Sequence, residues 1–234
     1  MFKLLSTANP KIQKGTKMGY LSFILHLAPA DLSGRETCPK RTAGCTAACL
    51  NTAGRGGMFK RGENTNMIQK ARIRKTKYFF EDRDAFMMDL AQDIEKAIRF
   101  AARKGLTPVF RLNGTSDLSW EKYTVPSTGQ NIFEYFSFVQ FYDYTKVLGR
   151  KVSQYKNYHL TFSKADGNDS DVAEALFQGM SVVAVYDKIP AGVPSADETD
   201  LRFLDAKGVM LGLKAKGRAK KDYSGFVIRV AEAA

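Results

Sequence analysis

The sequence lacks the motifs of the commonest hydrolases and of ATP-driven motors. It contains no Walker loop, no HExxH zinc motif and no visible Ser–His–Asp set. Histidine is nearly absent: His26 and His159 are the only two, and they lie too far apart for the paired-histidine metal site of rolling-circle nucleases. These absences exclude large classes of enzymes and direct attention to the few residues that could carry other chemistry.

Long apolar runs are also missing. The longest are far shorter than the roughly 18 residues that indicate a membrane span, and the segment from Met1 to Leu5 has no secretory signal pattern. Cysteine is scarce and odd in number, with three residues in 234, which argues against structural disulfides. We therefore expect a protein of the reducing cytoplasm that makes no contact with membranes.

The charge is strongly positive. Lysine and arginine number 36 against 24 aspartates and glutamates, a formal net charge of +12. Such an excess favours small anionic ligands or substrates, and nucleic acid is a further candidate partner. The densest basic run extends from Lys214 to Lys221. Because no aromatic residue follows it before Tyr223, we expect a solvated basic turn there, with a phosphate clamp as the alternative.

All three cysteines lie within a twelve-residue segment, as Cys38-Pro-Lys-Arg-Thr-Ala-Gly-Cys45-Thr-Ala-Ala-Cys49. The segment contains Pro39 and Gly44 and reads as a loop, so buried cysteine used as a small apolar residue is not the expected explanation. Three soft thiolates on one loop suit an iron–sulfur cluster or zinc, one ligand short of the usual four. Zinc and unliganded reduced thiols remain as alternatives.

Cations and glycines surround the cysteines within a cysteine cluster loop that we place at residues 38–57. Lys40, Arg41 and Arg55 flank the thiols, and we expect such charges to stabilise bound thiolates. The glycines at positions 54, 56 and 57 are expected to leave backbone amides free to point toward them.

Strands and helices alternate along the chain and predict one α/β domain over residues 1–234, with a mostly parallel sheet. Predicted strands cover 20–27, 108–113, 136–142, 158–163 and 181–186, with a last strand or hairpin within 201–213 around Gly208. Predicted helices cover 64–80, 83–104, 131–135 and 171–178. The helix at 83–104 has the clearest period, with apolar residues every three to four positions.

Two predicted strands carry one polar face each. His159, Thr161 and Ser163 alternate with apolar residues in one strand, and Arg111 and Asn113 do so in the other. A sheet covered by helices on both sides would not have such faces, whereas an open partial (β/α) barrel could line a substrate cavity with them. An edge strand with one wet face explains either strand alone equally well.

Polar residues also cluster where the predicted strands end, which is where ligands gather in parallel α/β and barrel folds. Arg111, Asn113, Ser116 and Asp117 lie at the end of the second strand. The later strand ends carry Asp143, Tyr144 and Lys146, then Ser163 and Lys164, then Asp187 and Lys188.

Several stretches resemble the phage gene product 88 domain family. They are the cysteine segment Cys38–Leu50 and the segments 112–117, 141–146, 159–164 and 212–217. The resemblance covers most of the chain and implies a phage or prophage origin, and hence the cytoplasm of an infected bacterial host, without supplying a mechanism.

The order of elements is similar to that of the radical SAM superfamily, in which a three-cysteine loop follows the first strand of a partial (β/α) barrel. That resemblance implies that Cys38, Cys45 and Cys49 bind a [4Fe–4S] cluster whose fourth iron is open to S-adenosylmethionine. It places the turn of Gly114, Thr115, Ser116 and Asp117 at the methionine part of the cofactor. The spacing here, C-x6-C-x3-C, departs from the usual C-x3-C-x2-C, and Asp117 is a loose substitute for the superfamily's glutamate.

Two hypotheses of different classes follow. In the first, the chain is a radical-SAM-like iron–sulfur protein, with Arg111, Asn113, Asp117 and His159 lining a cavity beside the cluster; the substrate and the oligomeric state stay open. In the second, it is a basic nucleic-acid-binding protein whose cysteine loop holds a structural zinc ion.

Overall fold

A computed structural model describes residues 3–7, 10–60 and 64–230. These residues form an α/β fold with one eight-stranded, mostly parallel sheet and six α-helices. The strands are β1 (Leu5–Ser6), β2 (Tyr20–Leu25), β3 (Thr107–Arg111), β4 (Gln140–Thr145), β5 (Tyr158–Ser163), β6 (Val182–Tyr186), β7 (Met210–Lys214) and β8 (Val227–Ile228). The helices are α1 (Pro10–Thr16), α2 (Ala43–Ala47), α3 (Met67–Glu81), α4 (Arg83–Ala102), α5 (Ile132–Tyr135) and α6 (Asp169–Phe177).

The strands from β1 to β7 lie side by side in chain order. β1 runs antiparallel to β2, and each later pair is parallel. The short β8 pairs in parallel with the end of β6, through Val185–Val227 and Tyr186–Ile228. The carboxyl ends of β2 to β7 therefore meet along one edge, where the connecting loops come together.

Helices α3 and α4 cover one face of the sheet. The apolar stripe of α4 is buried as its period predicts, at Phe86, Leu90 and Ile94. Phe23 of β2 stacks on Phe110 of β3, with ring centroids 5.5 Å apart. Burying such aromatic side chains contributes roughly 1.5–3 kcal/mol each before entropy is counted, so this face forms the main core.

The other face carries the polar residues that the sequence predicts. Arg111 of β3 is largely buried there and forms an ion pair with Asp200, 3.0 Å apart. Its guanidinium also lies 4.6 Å from the ring centre of Tyr144. Leu201 and Phe203 pack beside Tyr142 on the same face. The segment around residues 200–204 thus packs against the face where the sequence predicts a cavity.

Most predicted elements are confirmed, and β5 has the predicted bounds. β4 begins at Gln140 instead of 136, because residues 136–139 form a turn whose carbonyls accept hydrogen bonds from the Asn157 side chain. The region 201–213 is not a hairpin. It holds a 3-10 helix at Arg202–Leu204 followed by β7, which pairs in parallel with β6. No helix in the described ranges is long and apolar enough to cross a membrane.

Candidate functional site: the cysteine loop at the carboxyl edge of the sheet

The three cysteines lie on separate short pieces of the loop that follows β2. Cys38 precedes α2, Cys45 is inside α2, and Cys49 caps a 3-10 helix at Leu50–Thr52. None is in a disulfide, and all three are partly buried. The backbone N–H of Ala30 donates to Cys38 Sγ at 3.4 Å, and that of Asn51 donates to Cys49 Sγ at 3.5 Å. Both contacts would stabilise a thiolate.

Asp166, in the loop after β5, fixes the segment that carries Cys45. Its carboxylate accepts hydrogen bonds from the N–H groups of Gly44 at 3.0 Å and Cys45 at 3.2 Å, and from the Thr42 hydroxyl. Burial raises the pKa of Asp166, but these hydrogen bonds outweigh that effect and lower it. A Cβ on Gly44 would collide with Ser224 and lie 2.6 Å from Asp166 Oδ1. Only glycine allows this close approach.

Helix α3 holds the other end of the loop. The Asn66 side chain donates to the carbonyl of Gly56 at 2.9 Å, and Arg72 donates to the Asn51 side chain at 2.5 Å. A Cβ on Gly56 would lie 2.6 Å from the carbonyl oxygen of Asn51. The glycines after Cys49 therefore allow two backbone segments to pack closely, a different role from the inward-pointing amides expected from sequence.

Two cations that interact with the cysteines lie outside the cysteine loop. Lys146, directly after β4, interacts electrostatically with the side chains of Cys45, Asp117 and Cys38. Burial lowers the pKa of Lys146, but these partners outweigh it and raise the pKa, so the ammonium stays charged. Arg72 of α3 interacts electrostatically with Cys49.

The flanking cations of the loop are either paired with carboxylates or exposed. Arg41 forms ion pairs with Glu36 at 2.8 Å and with Asp31 at 3.0 Å. Lys40 and Arg55 are exposed. Their stabilising effect on bound thiolates stays a prediction, to which Lys146 and Arg72 are added.

Burial governs the protonation of two of the thiols. It raises the pKa of Cys38 to about 11, and the nearby thiol of Cys49 and carboxylate of Asp117 act in the same direction. Burial also raises the pKa of Cys49. In the ligand-free protein both are neutral thiols at pH 7, so binding a metal or cluster there would release protons.

The predicted cofactor turn, Gly114–Asp117, lies directly against this loop. The Thr115 carbonyl is 4.0 Å from Cys38 Sγ, and the Thr115 hydroxyl donates to the carbonyl of Leu27. A Cβ on Gly114 would lie 2.6 Å from the Leu25 carbonyl oxygen, so glycine is needed for the turn to pass the end of β2. The turn therefore packs against the strand before the cysteine loop.

Asp117 is the residue of this turn with unused hydrogen-bonding capacity. Its Oδ2 accepts from the N–H of Lys146 at 2.7 Å. Its Oδ1 is buried and has no hydrogen-bond partner within the described residues, and the Arg150 guanidinium is 4.0 Å away. Burial raises the pKa of Asp117. A buried carboxylate oxygen with a free lone pair could accept from a ligand's amino group.

The other residues predicted to bind the cofactor either contact neighbouring protein groups or lie away from the cysteines. Asn113 is buried, and its Oδ1 accepts from Ser116 Oγ at 2.9 Å and Trp120 Nε1 at 3.0 Å, so the side chains of Asn113 and Ser116 hold the turn internally. Arg111 pairs with Asp200. His159 lies near the start of β5, away from the carboxyl edge, and the structure does not bring it to the cysteines.

The donor chemistry of this site is that of soft thiolates. No three His, Cys, Asp or Glu side chains are arranged to hold one metal ion in the ranges that the structure describes. The ligands of a cluster bind different irons, so they need not converge on a single point as the ligands of zinc do. The site therefore offers three thiols on one loop, with two N–H donors to sulfur and two nearby cations.

A model of the gene product 88 family matches residues 3–230, which include the cysteine loop, the Gly114–Asp117 turn and every strand of the sheet. The chain belongs to the gene product 88 family. This is a phage family, as the resemblance in the sequence suggests. No curated protein and no solved structure shows a significant similarity to this gene product 88 chain.

Sequence reasoning missed Asp166, Thr42 and Arg72 as parts of this site. The Thr42 signal was present, because a threonine directly before a short helix is a typical N-cap. Asp166 and Arg72 carry no local signal: they lie 121 and 21 positions from their partners Cys45 and Asn51.

Proposed function

We propose that this phage protein is an iron–sulfur protein in which Cys38, Cys45 and Cys49 bind a [4Fe–4S] cluster with one open iron. The observation that carries the proposal is the placement of three free thiols on one loop at the carboxyl edge of a parallel sheet. Two of them accept N–H···S contacts, and Lys146 and Arg72 interact electrostatically with the cysteines of the loop. When bound, such a cluster would supply a one-electron or Lewis-acid centre.

The strand order supports a barrel-like architecture of the radical SAM type. β2 to β7 follow one another across the sheet without the reversal that marks doubly wound folds. Right-handed connections between strands in sequential order favour helices on one face, as in (β/α) barrels, and α3 and α4 lie on one face here. The segment at residues 200–204, in the connection between β6 and β7, packs on the other face. The cysteine loop follows the first parallel strand and lies at the edge where barrel enzymes bind their ligands.

The open iron would take S-adenosylmethionine as its ligand. Asp117 supports this assignment, because its buried Oδ1 could accept a hydrogen bond from the amino group of S-adenosylmethionine. Lys146 would hold the other oxygen of the Asp117 carboxylate through its backbone N–H. The protein's own contribution is thus to orient Asp117 and to balance the thiolate charge.

Single replacements of the cysteines by serine test the cluster assignment. Each variant, purified without oxygen, should lose most of its iron, its sulfide and its broad absorption near ~400 nm. Thr46→Ala is a suitable control, because Thr46 is exposed in the same helix. Its hydroxyl donates to the Thr42 carbonyl and accepts from Arg41 at 3.5 Å, and no contact with a cysteine side chain involves it in the described residues. Full iron and sulfide in any cysteine variant would contradict the assignment of that ligand.

S-adenosylmethionine binding has a separate test. Adding it to the reduced cluster should change the electron paramagnetic resonance spectrum, and Asp117→Asn should weaken that response about tenfold, a typical cost of losing one charged hydrogen bond. An unchanged spectrum at saturating concentration would leave the cluster assignment in place and overturn the cofactor assignment.

A further inference from the structure

The basic run near the carboxyl terminus forms a fixed edge beside the cysteine loop. A 3-10 helix at Gly217–Lys221 carries it. Ala219 points inward and is buried with Ala48, next to Cys49, and a Cβ on Gly217 would lie 3.2 Å from Ala53. This apolar anchor turns the neighbouring basic side chains outward.

We name the exposed residues Arg218, Lys220, Lys221 and Tyr223 the basic edge. Among the described residues, no ion pair involves any of its three cations. Three aspartates of the same region have other partners: Asp197 pairs with Lys216, Asp187 pairs with Arg229, and Asp222 accepts from the N–H of Val227 and the Ser224 hydroxyl. Within the part of the chain that the structure describes, the edge therefore presents three exposed cations that no ion pair neutralises.

Tyr223 adds a stacking surface to these charges. Tyr223 is 87% exposed, so its ring is not part of the core and is open to solvent. The Arg229 guanidinium lies 4.6 Å from the ring centre and donates to the carbonyls of Lys220 at 3.0 Å and Asp222 at 2.7 Å. The ring is thus held beside the cations on a backbone that is already ordered.

We propose that the basic edge binds single-stranded nucleic acid, with phosphates on Arg218, Lys220 and Lys221 and a base on Tyr223. Exposed aromatic rings beside cations are the means by which proteins bind unpaired bases. A five-residue 3-10 helix is too short to contact the bases in the groove of a duplex. An unpaired base, in contrast, has an exposed face on which the Tyr223 ring can stack. The proposal goes beyond the cluster and does not depend on it.

Fluorescence anisotropy with a labelled oligothymidine tests the proposal on the full chain. The triple variant Arg218→Gln, Lys220→Gln, Lys221→Gln should bind at least tenfold more weakly and lose about two units of the slope of log affinity against log salt. Tyr223→Ala should weaken binding about 5- to 100-fold, the range expected for one lost stacking contact, and Tyr223→Phe should retain it.

The matched control is Lys17→Gln, Lys151→Gln, Lys156→Gln, which removes the same charge from exposed lysines near the amino ends of the strands. It should bind within about twofold of the wild type. The proposal would be overturned if the control variant lost as much affinity as the basic-edge variant, or if the basic-edge variant kept the affinity of the wild type. Equal or tighter binding of a duplex, with no effect of Tyr223→Ala, would also overturn it and leave only a general polyanion surface. An oligouridine compared with oligothymidine distinguishes RNA from DNA as the source of the strand.

Discussion

The carboxylate of Asp166 accepts a hydrogen bond from the backbone N–H of Cys45, 3.2 Å away and 121 positions earlier in the chain. The bond joins the loop after β5 to the loop after β2. It fixes the middle of three cysteines against the edge where the strands end, so the position of this thiol depends on the folded sheet as a whole.

Replacing Asp166 by alanine should therefore release the segment around Cys45. Three hydrogen bonds to that carboxylate would be lost, and we expect the free energy of unfolding to fall by about 1–3 kcal/mol. Iron content after anaerobic purification should fall as well. Asp169→Asn is the control, because Asp169 is an exposed residue of the same region that pairs only with Lys164. Wild-type stability and iron content in Asp166→Ala would show that this anchor is dispensable.

A second prediction concerns Lys146, because its ammonium interacts electrostatically with Cys45. Lys146→Met removes a positive charge beside the proposed cluster, so reduction of the cluster should become harder and its potential more negative. Lys146→Arg keeps the charge and should retain most of the original potential, as measured by redox titration. Identical potentials in all three proteins would place the ammonium away from the cluster.

The buried carboxyl of Asp143 should make the free energy of unfolding depend on pH, whether or not a cofactor is bound. Burial raises its pKa to about 7, against the opposing effect of Arg111 and of hydrogen bonds from the N–H of Asn113 and the hydroxyl of Tyr158. The unfolded chain loses this proton near pH ~4. Between these values the folded state binds more protons, so the contribution of Asp143 to stability falls as pH rises, by at most about 1.4 kcal/mol per pH unit.

Asp143→Asn has no titrating carboxyl and should remove this dependence. Urea denaturation of both proteins should show the variant gaining stability relative to the wild type from pH 4 to pH 7, with a constant difference above that. A difference that does not vary with pH would mean that the Asp143 carboxyl titrates normally.

The ion pair of Arg111 with Asp200 allows a test of whether Arg111 stabilises the fold or binds a ligand. Arg111→Met removes the cation beside the buried Asp200 carboxylate, so we expect a loss of about 3–5 kcal/mol in the free energy of unfolding. Adding Asp200→Asn should restore part of that loss, as measured by denaturation. A change of less than about 0.5 kcal/mol on Arg111→Met would instead suit a residue kept for binding a ligand.

Local patterns predicted the elements but not the contacts among them. The alternation of Tyr158–Ser163 and the apolar period of α4 are properties of neighbouring residues, so they could be read directly from the sequence. The start of β4 depends on Asn157, a residue beyond the strand. The cysteine cluster could be singled out by spacing alone. Its anchors Asp166 and Arg72 could not, because the fold brings them there from distant positions.

The central claim is that the three cysteines hold an iron–sulfur cluster, and metal and acid-labile sulfide analysis of the wild-type protein tests it most directly. Protein purified without oxygen should contain roughly four iron and four sulfide per chain and absorb broadly near ~400 nm. One zinc per chain, no sulfide and no colour would contradict the account and favour a structural zinc site in its place.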